Sequence, residues 1–213
     1  SVVNGGYEIE GNFYQPQFNH VEGYQECDDC HNAHTLELKL DECAECHDAD
    51  DIEEVQEIRM ASSLVDYDGD GDVEEGIYGE IQGLQEVLFS TIQTYAVEVA
   101  GTPIGYGSGY PYIFIDTDGD GVVSEEEGIR DNAYNAFTPN LLIAIYNYQV
   151  SVKDPGNYAH NAKYHIELLY DSTMLLAEAM GMGMDDMVAI QRDDYGHFNA
   201  TLEAFRHWDD DGE

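Results

Sequence analysis

A chain of 213 residues with 45 acidic and 7 basic side chains has a formal net charge of −38, which repels nucleic acid and anionic membrane surfaces beyond a Debye length. Its 11 per cent aromatic content, with sixteen tyrosines, excludes a disordered acidic tail, and the length suffices for one large or two small domains with a core. No run of about 18 apolar residues occurs, so no membrane span is expected.

Residues 1–26 are rich in Gly, Asn, Gln and Tyr and include Pro16, a composition that predicts extended or irregular backbone. Two pentapeptides follow, Cys27-Asp28-Asp29-Cys30-His31 and Cys43-Ala44-Glu45-Cys46-His47. Cys-x-x-Cys-His is the covalent attachment signature of c-type haem: each thiol adds across a vinyl group and the histidine binds the iron. Four thiolates could instead hold zinc, or the cysteines could pair as disulfides. A zinc knuckle, however, has no need of a histidine directly after the second cysteine, whereas haem attachment requires it, and it occurs both times. The motifs consume all four cysteines of the chain, and residues 1–26 are expected to wrap the first haem.

Asp50 to Ala61 carries Ile52, Val55 and Ile58 at helical spacing, with acidic residues at its start, and predicts a short helix that closes this segment. Next comes Asp66-Tyr67-Asp68-Gly69-Asp70-Gly71-Asp72, repeated fifty residues later as Asp116-Thr117-Asp118-Gly119-Asp120-Gly121-Val122. The second copy satisfies the EF-hand calcium loop: Asp116, Asp118 and Asp120 alternate as ligands, Val122 offers its carbonyl, and Glu127 takes the closing position. In the first copy Asp66, Asp68, Asp70 and Asp72 are the candidate ligands. Its closing position is Ile77, which leaves Glu74, Glu75 or a residue from elsewhere to complete the coordination. The alternative is a pair of metal-free Asp-Gly turns, although so many close carboxylates repel without a cation.

Between the loops, Leu84, Leu88, Ile92, Tyr95, Ala96 and Val99 predict a core helix ending at Gly101. Tyr112 to Ile115 predicts a short extended run. Thr138-Pro139 marks the start of a helix reaching Asp154-Pro155, and Ile166, Leu169, Tyr170, Thr173, Leu176, Ala177 and Met180 mark another, ending at Gly181. Met174 and Met180 read as core residues rather than iron ligands. The aromatic and histidine-bearing tail, Tyr195 to Asp209, reads as ordered.

Phe18-Asn19-His20, Cys30-His31-Asn32-Ala33-His34, the Asp-Gly loops, Pro155 to Asn161 and Phe205-Arg206-His207-Trp208-Asp209 together resemble secreted multihaem c-type cytochromes of the extracellular electron-transfer, filament-forming kind. The resemblance implies His20 as distal ligand of the first iron and His34 as the residue crossing to the iron held by His47, with His160 in reserve. It also implies haem attachment outside the cytoplasmic membrane, so that Ser1 begins a mature form whose signal peptide has been removed, located in the periplasm or outside the cell. The expected fold is mainly α with large irregular regions: a haem-wrapped segment, residues 1–61, followed by a helical domain with EF-hand-like calcium loops, residues 62–213. The expected cofactors are two covalent haem c groups and calcium. The expected partners are other redox proteins or extracellular electron acceptors, with neighbouring copies in a homopolymer and neither nucleic acid nor a membrane span. Four ligating histidines leave no open iron, so electron transfer is expected rather than catalysis; the alternative is a monomeric, peroxidase-like dihaem oxidoreductase.

Overall fold

The computed structural model describes residues 5–15, 23–24, 26–59, 65–183 and 189–192. His20 and its Phe18-Asn19 neighbours, and the tail from Tyr195 to Asp209, lie outside these residues. The described chain is mostly helical, with irregular connections and little strand.

Three long helices make the core. Helix α4 (Ile77–Glu98) places Ile81, Leu84, Leu88 and Ile92 on one fully buried stripe, each contributing about 1.5–3 kcal/mol relative to exposure. It stops where Gly101 takes a left-handed conformation, φ +71°, and Thr102 N–H donates to Ala96 O at 2.9 Å, the glycine stop that the sequence announces. Helix α5 (Pro139–Val152) starts with Thr138 Oγ1 accepting the Leu141 N–H at 3.2 Å. Helix α7 (Ala162–Ala179) starts with Asn161 Oδ1 accepting from Tyr164 N–H and ends before Gly181. These three helices pack on one another around Leu84, Leu88, Leu141, Ile145, Ile166 and Leu169.

The smaller elements are α1 (Cys27–Cys30), α2 (Leu40–Cys43), α3 (Ile52–Gln56), β1 (Ile104–Tyr106), β2 (Ile113–Ile115) and α6 (Asn157–His160). Strand β2 is the extended run expected at Tyr112 to Ile115. Its antiparallel partner β1, in the register Ile104 to Ile115 and Tyr106 to Ile113, lies in a stretch whose glycines read as loop. Gly105 is there for a tertiary reason: a Cβ on it would meet Val123 Cγ2 at 2.5 Å. Helix α4 begins seven residues before Leu84, and α3 is shorter than the periodicity of residues 50–61 suggests.

Residues 5–15 do not sit against the Cys-x-x-Cys-His motifs; they lie along α5 and α7. The Asn147 carboxamide bonds both ways to the backbone of Tyr7, accepting at 2.6 Å and donating at 3.0 Å. Gln15 N–H donates to buried Glu167 at 2.6 Å, and Tyr14 packs edge-on against Tyr164 beside Leu168. From Glu26 to Arg59, by contrast, only Ala49 and Val55 are buried.

Candidate functional site

The two Cys-x-x-Cys-His motifs share one hydrogen bond, in which the histidine N–H donates to the carbonyl of the first cysteine, His31 to Cys27 and His47 to Cys43, both at 2.9 Å. The first motif is the helical turn α1 and the second a turn that continues from the end of α2. Residues i, i+3 and i+4 of a helical turn share one face, which in the first motif are Cys27, Cys30 and His31. The turns are clasped together: Lys39 N–H donates to Cys30 O at 2.9 Å, His31 bridges Leu38, and Tyr24 O–H donates to Glu42 and Glu45. Cys27 and Cys46 are exposed, Cys30 and Cys43 half-buried, and all four are free of disulfides. Burial pushes the Cys30 and Cys43 thiols up, with Cys43 adding to the shift at Cys30, and burial pushes the His47 imidazole down.

The helical part of the molecule supplies a partner for His31. The His31 and His160 ring centres stand 6.2 Å apart. Two metal–imidazole bonds of ~2.0–2.1 Å, plus ~1.1 Å from ring nitrogen to ring centre on each side, require ~6.3 Å for one metal between two facing imidazoles. Each ring also has its other nitrogen engaged. His31 Nδ1 lies 2.9 Å from Leu36 O, and His160 Nδ1 lies 2.7 and 2.9 Å from the two Asp154 oxygens. A carbonyl and a carboxylate only accept, so both Nδ1 atoms carry hydrogen and both Nε2 lone pairs are left for a metal. Burial favours the neutral form of Asp154, but the hydrogen bond from His160 outweighs it and holds the carboxyl below its ordinary value. Gly156 packs on the His160 ring, where a Cβ would come within 2.8 Å of Cε1. The residues present therefore fit a haem whose iron His31 and His160 would hold.

The other expected ligands are placed less fully. His34 is exposed, and its backbone N–H donates to Asn32 Oδ1 at 2.9 Å; its ring is not seen against His47. Tyr158 of α6 packs edge-on against Tyr78 of α4, ring centres 5.4 Å apart. His165, unassigned by sequence, is wholly buried 3.8 Å from Asp154, and burial pushes it down to about 4. Asp154 was legible only as a helix end; its signal was a carboxylate six residues before a histidine, across a Pro-Gly turn.

The two Asp-Gly loops fold alike at their beginnings. In the second, Asp116 accepts from Gly119 N–H (2.7 Å) and Gly121 N–H (2.9 Å); in the first, Asp66 accepts from Gly69 N–H (2.6 Å) and Gly71 N–H (3.0 Å). Asp120 N–H donates to Asp118, as Asp70 N–H does to Asp68. All four glycines take positive φ, between 76° and 96°, conformations that favour glycine. Asp116, Asp118 and Glu127 bring carboxylate oxygens within 4.8 Å of one another, as do Asp66, Asp68 and Asp70. Asp72, Asp120 and Val122 continue the two loops, Val122 exposed.

The closures differ. Glu127 accepts from Thr117 N–H at 2.6 Å and from Thr117 O–H and Ser124, bonds that hold its carboxyl down at about 2. In the first loop the equivalent acceptor is Glu80, from the first turn of α4, which takes Tyr67 N–H at 2.6 Å and Asp68 N–H at 3.2 Å. Glu80 is fully buried and paired with Arg59, which also reaches the Val65 and Glu75 carbonyls. Asp68, Glu75 and Glu80 form a further set of close carboxylates, and burial plus these neighbours pushes Glu75 up to about 7 and Asp68 to about 6. Glu80 is the residue from outside the loop whose carboxylate stands with Asp68 and Glu75.

Among the described residues no helix is long and apolar enough to cross a membrane. No family model and no solved structure matches the chain. Curated proteins do, and they are polyhaem c-type cytochromes. The chain is 27 per cent identical over 106 residues to the C-type polyheme cytochrome OmcC of Geobacter sulfurreducens, covering 46 per cent of this chain and 13 per cent of that protein. It is 27 per cent identical over 96 residues to OmcB of the same organism, covering 41 and 13 per cent. The matched stretch thus spans about an eighth of these relatives' length.

Proposed function

We propose that the chain is a dihaem c-type cytochrome that carries electrons outside the cytoplasm, binding no organic substrate. The observation that carries this reading is the pair His31 and His160, ring centres 6.2 Å apart and each with its Nδ1 hydrogen-bonded, His31 following directly on Cys30. The partial similarity to polyhaem cytochromes supports it. Haem supplies an iron that changes its charge by one without making or breaking bonds to substrate. The chain's own residues do the rest. Cys27, Cys30, Cys43 and Cys46 anchor the two groups by thioether bonds, and His31 and His47 are the proximal imidazoles. His160 closes the first iron against water and peroxide. His20 and His34 are the candidates for the iron of His47.

Asp66, Asp68, Asp70 and Asp72 in one loop, and Asp116, Asp118, Asp120, the Val122 carbonyl and Glu127 in the other, bind calcium and stiffen the helical part, residues 62–213, to which the haem segment is joined. The exposed, core-poor attachment segment supports a head-to-tail homopolymer that brings haems of successive copies together, since a heterologous contact that does not close builds a fibre.

Mass spectrometry of the denatured protein tests the haem count: a polypeptide heavier by two haems is expected, and the bare mass would overturn the reading. Low-spin, six-coordinate absorption from both irons is expected, while a high-spin component reacting with peroxide would favour the peroxidase-like alternative. Electron microscopy of the calcium-loaded protein is expected to show fibres, and a homogeneous monomer would remove the polymer.

A further inference from the structure

We infer that Asp154 is a positioning residue that makes the His160 side of the first iron electronically unlike the His31 side, biasing that haem toward its oxidised form. The inference rests on the haem reading above.

The two imidazoles differ in what stands behind them. His31 Nδ1 is backed by a neutral peptide carbonyl, Leu36 O, whereas His160 Nδ1 is backed by both oxygens of a carboxylate. The Asp154 side chain is only 14 per cent exposed, and it is anchored by accepting Gly156 N–H at 3.1 Å. On its far side lies His165, fully buried, with neither ring nitrogen hydrogen-bonded. The carboxylate therefore has the buried His165 ring 3.8 Å away on one side and accepts hydrogen bonds only from His160 among these two rings.

A carboxylate accepting from one imidazole nitrogen raises the basicity of the other and fixes the ring's tautomer and orientation. A more basic axial ligand stabilises the more positive iron, and the effect is stronger where water is excluded. Three features thus converge on one ring: Asp154 accepts its Nδ1 hydrogen, Gly156 leaves room for it where a side chain would clash, and the His31 ring lies 6.2 Å away, centre to centre.

The test is the holoprotein with Asp154→Asn, which keeps the size and an acceptor oxygen but removes the charge, beside Asp154→Ala, which removes both. In Asp154→Asn the low-spin spectrum is expected to persist. The oxidised-to-reduced ratio of one haem at fixed ambient potential should fall about tenfold, an upward shift of ~59 mV for a one-electron couple, with the other haem unmoved. Asp154→Ala should in addition lose part of the low-spin signal. Unchanged titrations in Asp154→Asn, or equal shifts of both haems, would overturn the inference. His160→Ala separates the two readings: if it leaves the spectrum intact, His160 is no ligand and the haem assignment fails first; if it abolishes one low-spin haem while Asp154→Asn moves nothing, only the role of Asp154 fails.

Discussion

The two Asp-Gly loops begin with the same hydrogen bonds and end on different principles. The second is self-contained: Asp116 opens it and Glu127, eleven residues on, reaches back to the second residue of the loop. The first cannot do this, because its closing position has another task. Gly76 passes so close to the end of α3 that a Cβ would come within 2.0 Å of Gln56 O, and Ile77 N–H donates to Ile58 O at 3.2 Å. The chain there docks the segment after α3, and the carboxylate that accepts the Tyr67 and Asp68 N–H groups comes from Glu80 one helical turn later. The difference teaches that a loop's ligand function and its packing function can be separated in sequence: once α4 is close, its Glu80 serves as well as a residue inside the loop, provided that a cation such as Arg59 offsets its burial.

The comparison breaks most visibly at Arg59. Arg59→Met leaves Glu80 buried without its partner and should destabilise the protein by about 3–5 kcal/mol in denaturant unfolding, an effect with no counterpart at the second loop. Adding Glu80→Gln should recover part of that loss; no recovery would mean that Arg59 acts through the Val65 and Glu75 carbonyls instead. Calcium comes next. Binding to the folded state alone contributes about 2.7 kcal/mol per site at a hundredfold excess over Kd, so chelation at matched ionic strength should lower the Tm. Calorimetric titration should lose one set of sites in Glu127→Gln and the other in Glu80→Gln.

The loops should also respond oppositely to pH when calcium is removed. Glu75 at about 7 and Asp68 at about 6 lie above their ordinary 4.5 and 3.8, so the folded chain holds more protons than the unfolded one and stability falls as pH rises from about 4 to 7. Glu127 at about 2 lies below its ordinary 4.5; its contribution is complete above that value and is lost as pH falls toward 2. Glu75→Gln should flatten the neutral limb and leave the acid limb intact, which chemical melts at a series of pH values would show. The smallest effect is expected at Gly83, where a Cβ would meet Asp68 Oδ2 at 1.6 Å. Gly83→Ala should weaken calcium at the first loop alone, while the gain in helix propensity, about 0.5–1 kcal/mol, offsets part of the cost to the fold.

Chemistry carried by contiguous residues was legible in the sequence; chemistry assembled across the fold was not. The two Cys-x-x-Cys-His turns, the Asp-Gly loops, the Thr138 cap and the Gly101 stop depend on residues within one or two turns of each other, and spacing alone reveals them. Glu80 and Asp154 depend on which helix lies beside which loop. Strand β1 was missed because Gly105 and Gly107 read as loop when their neighbours in space, Val123 and Phe114, are unknown. That residues 5–15 lie along α5 and α7 was not legible, because nothing local announces that Asn147 will clasp Tyr7.

The attachment segment buries only Ala49 and Val55 between Glu26 and Arg59, and this sets an order of events in the making of the protein. A stretch with so little apolar burial cannot offset the conformational entropy of ordering about thirty residues, whereas α4, α5 and α7 carry a complete core of their own. The helices can therefore assemble while the cysteines still lie on a loose, reachable tether, and haem attachment of the kind proposed above would close the segment onto a surface already finished.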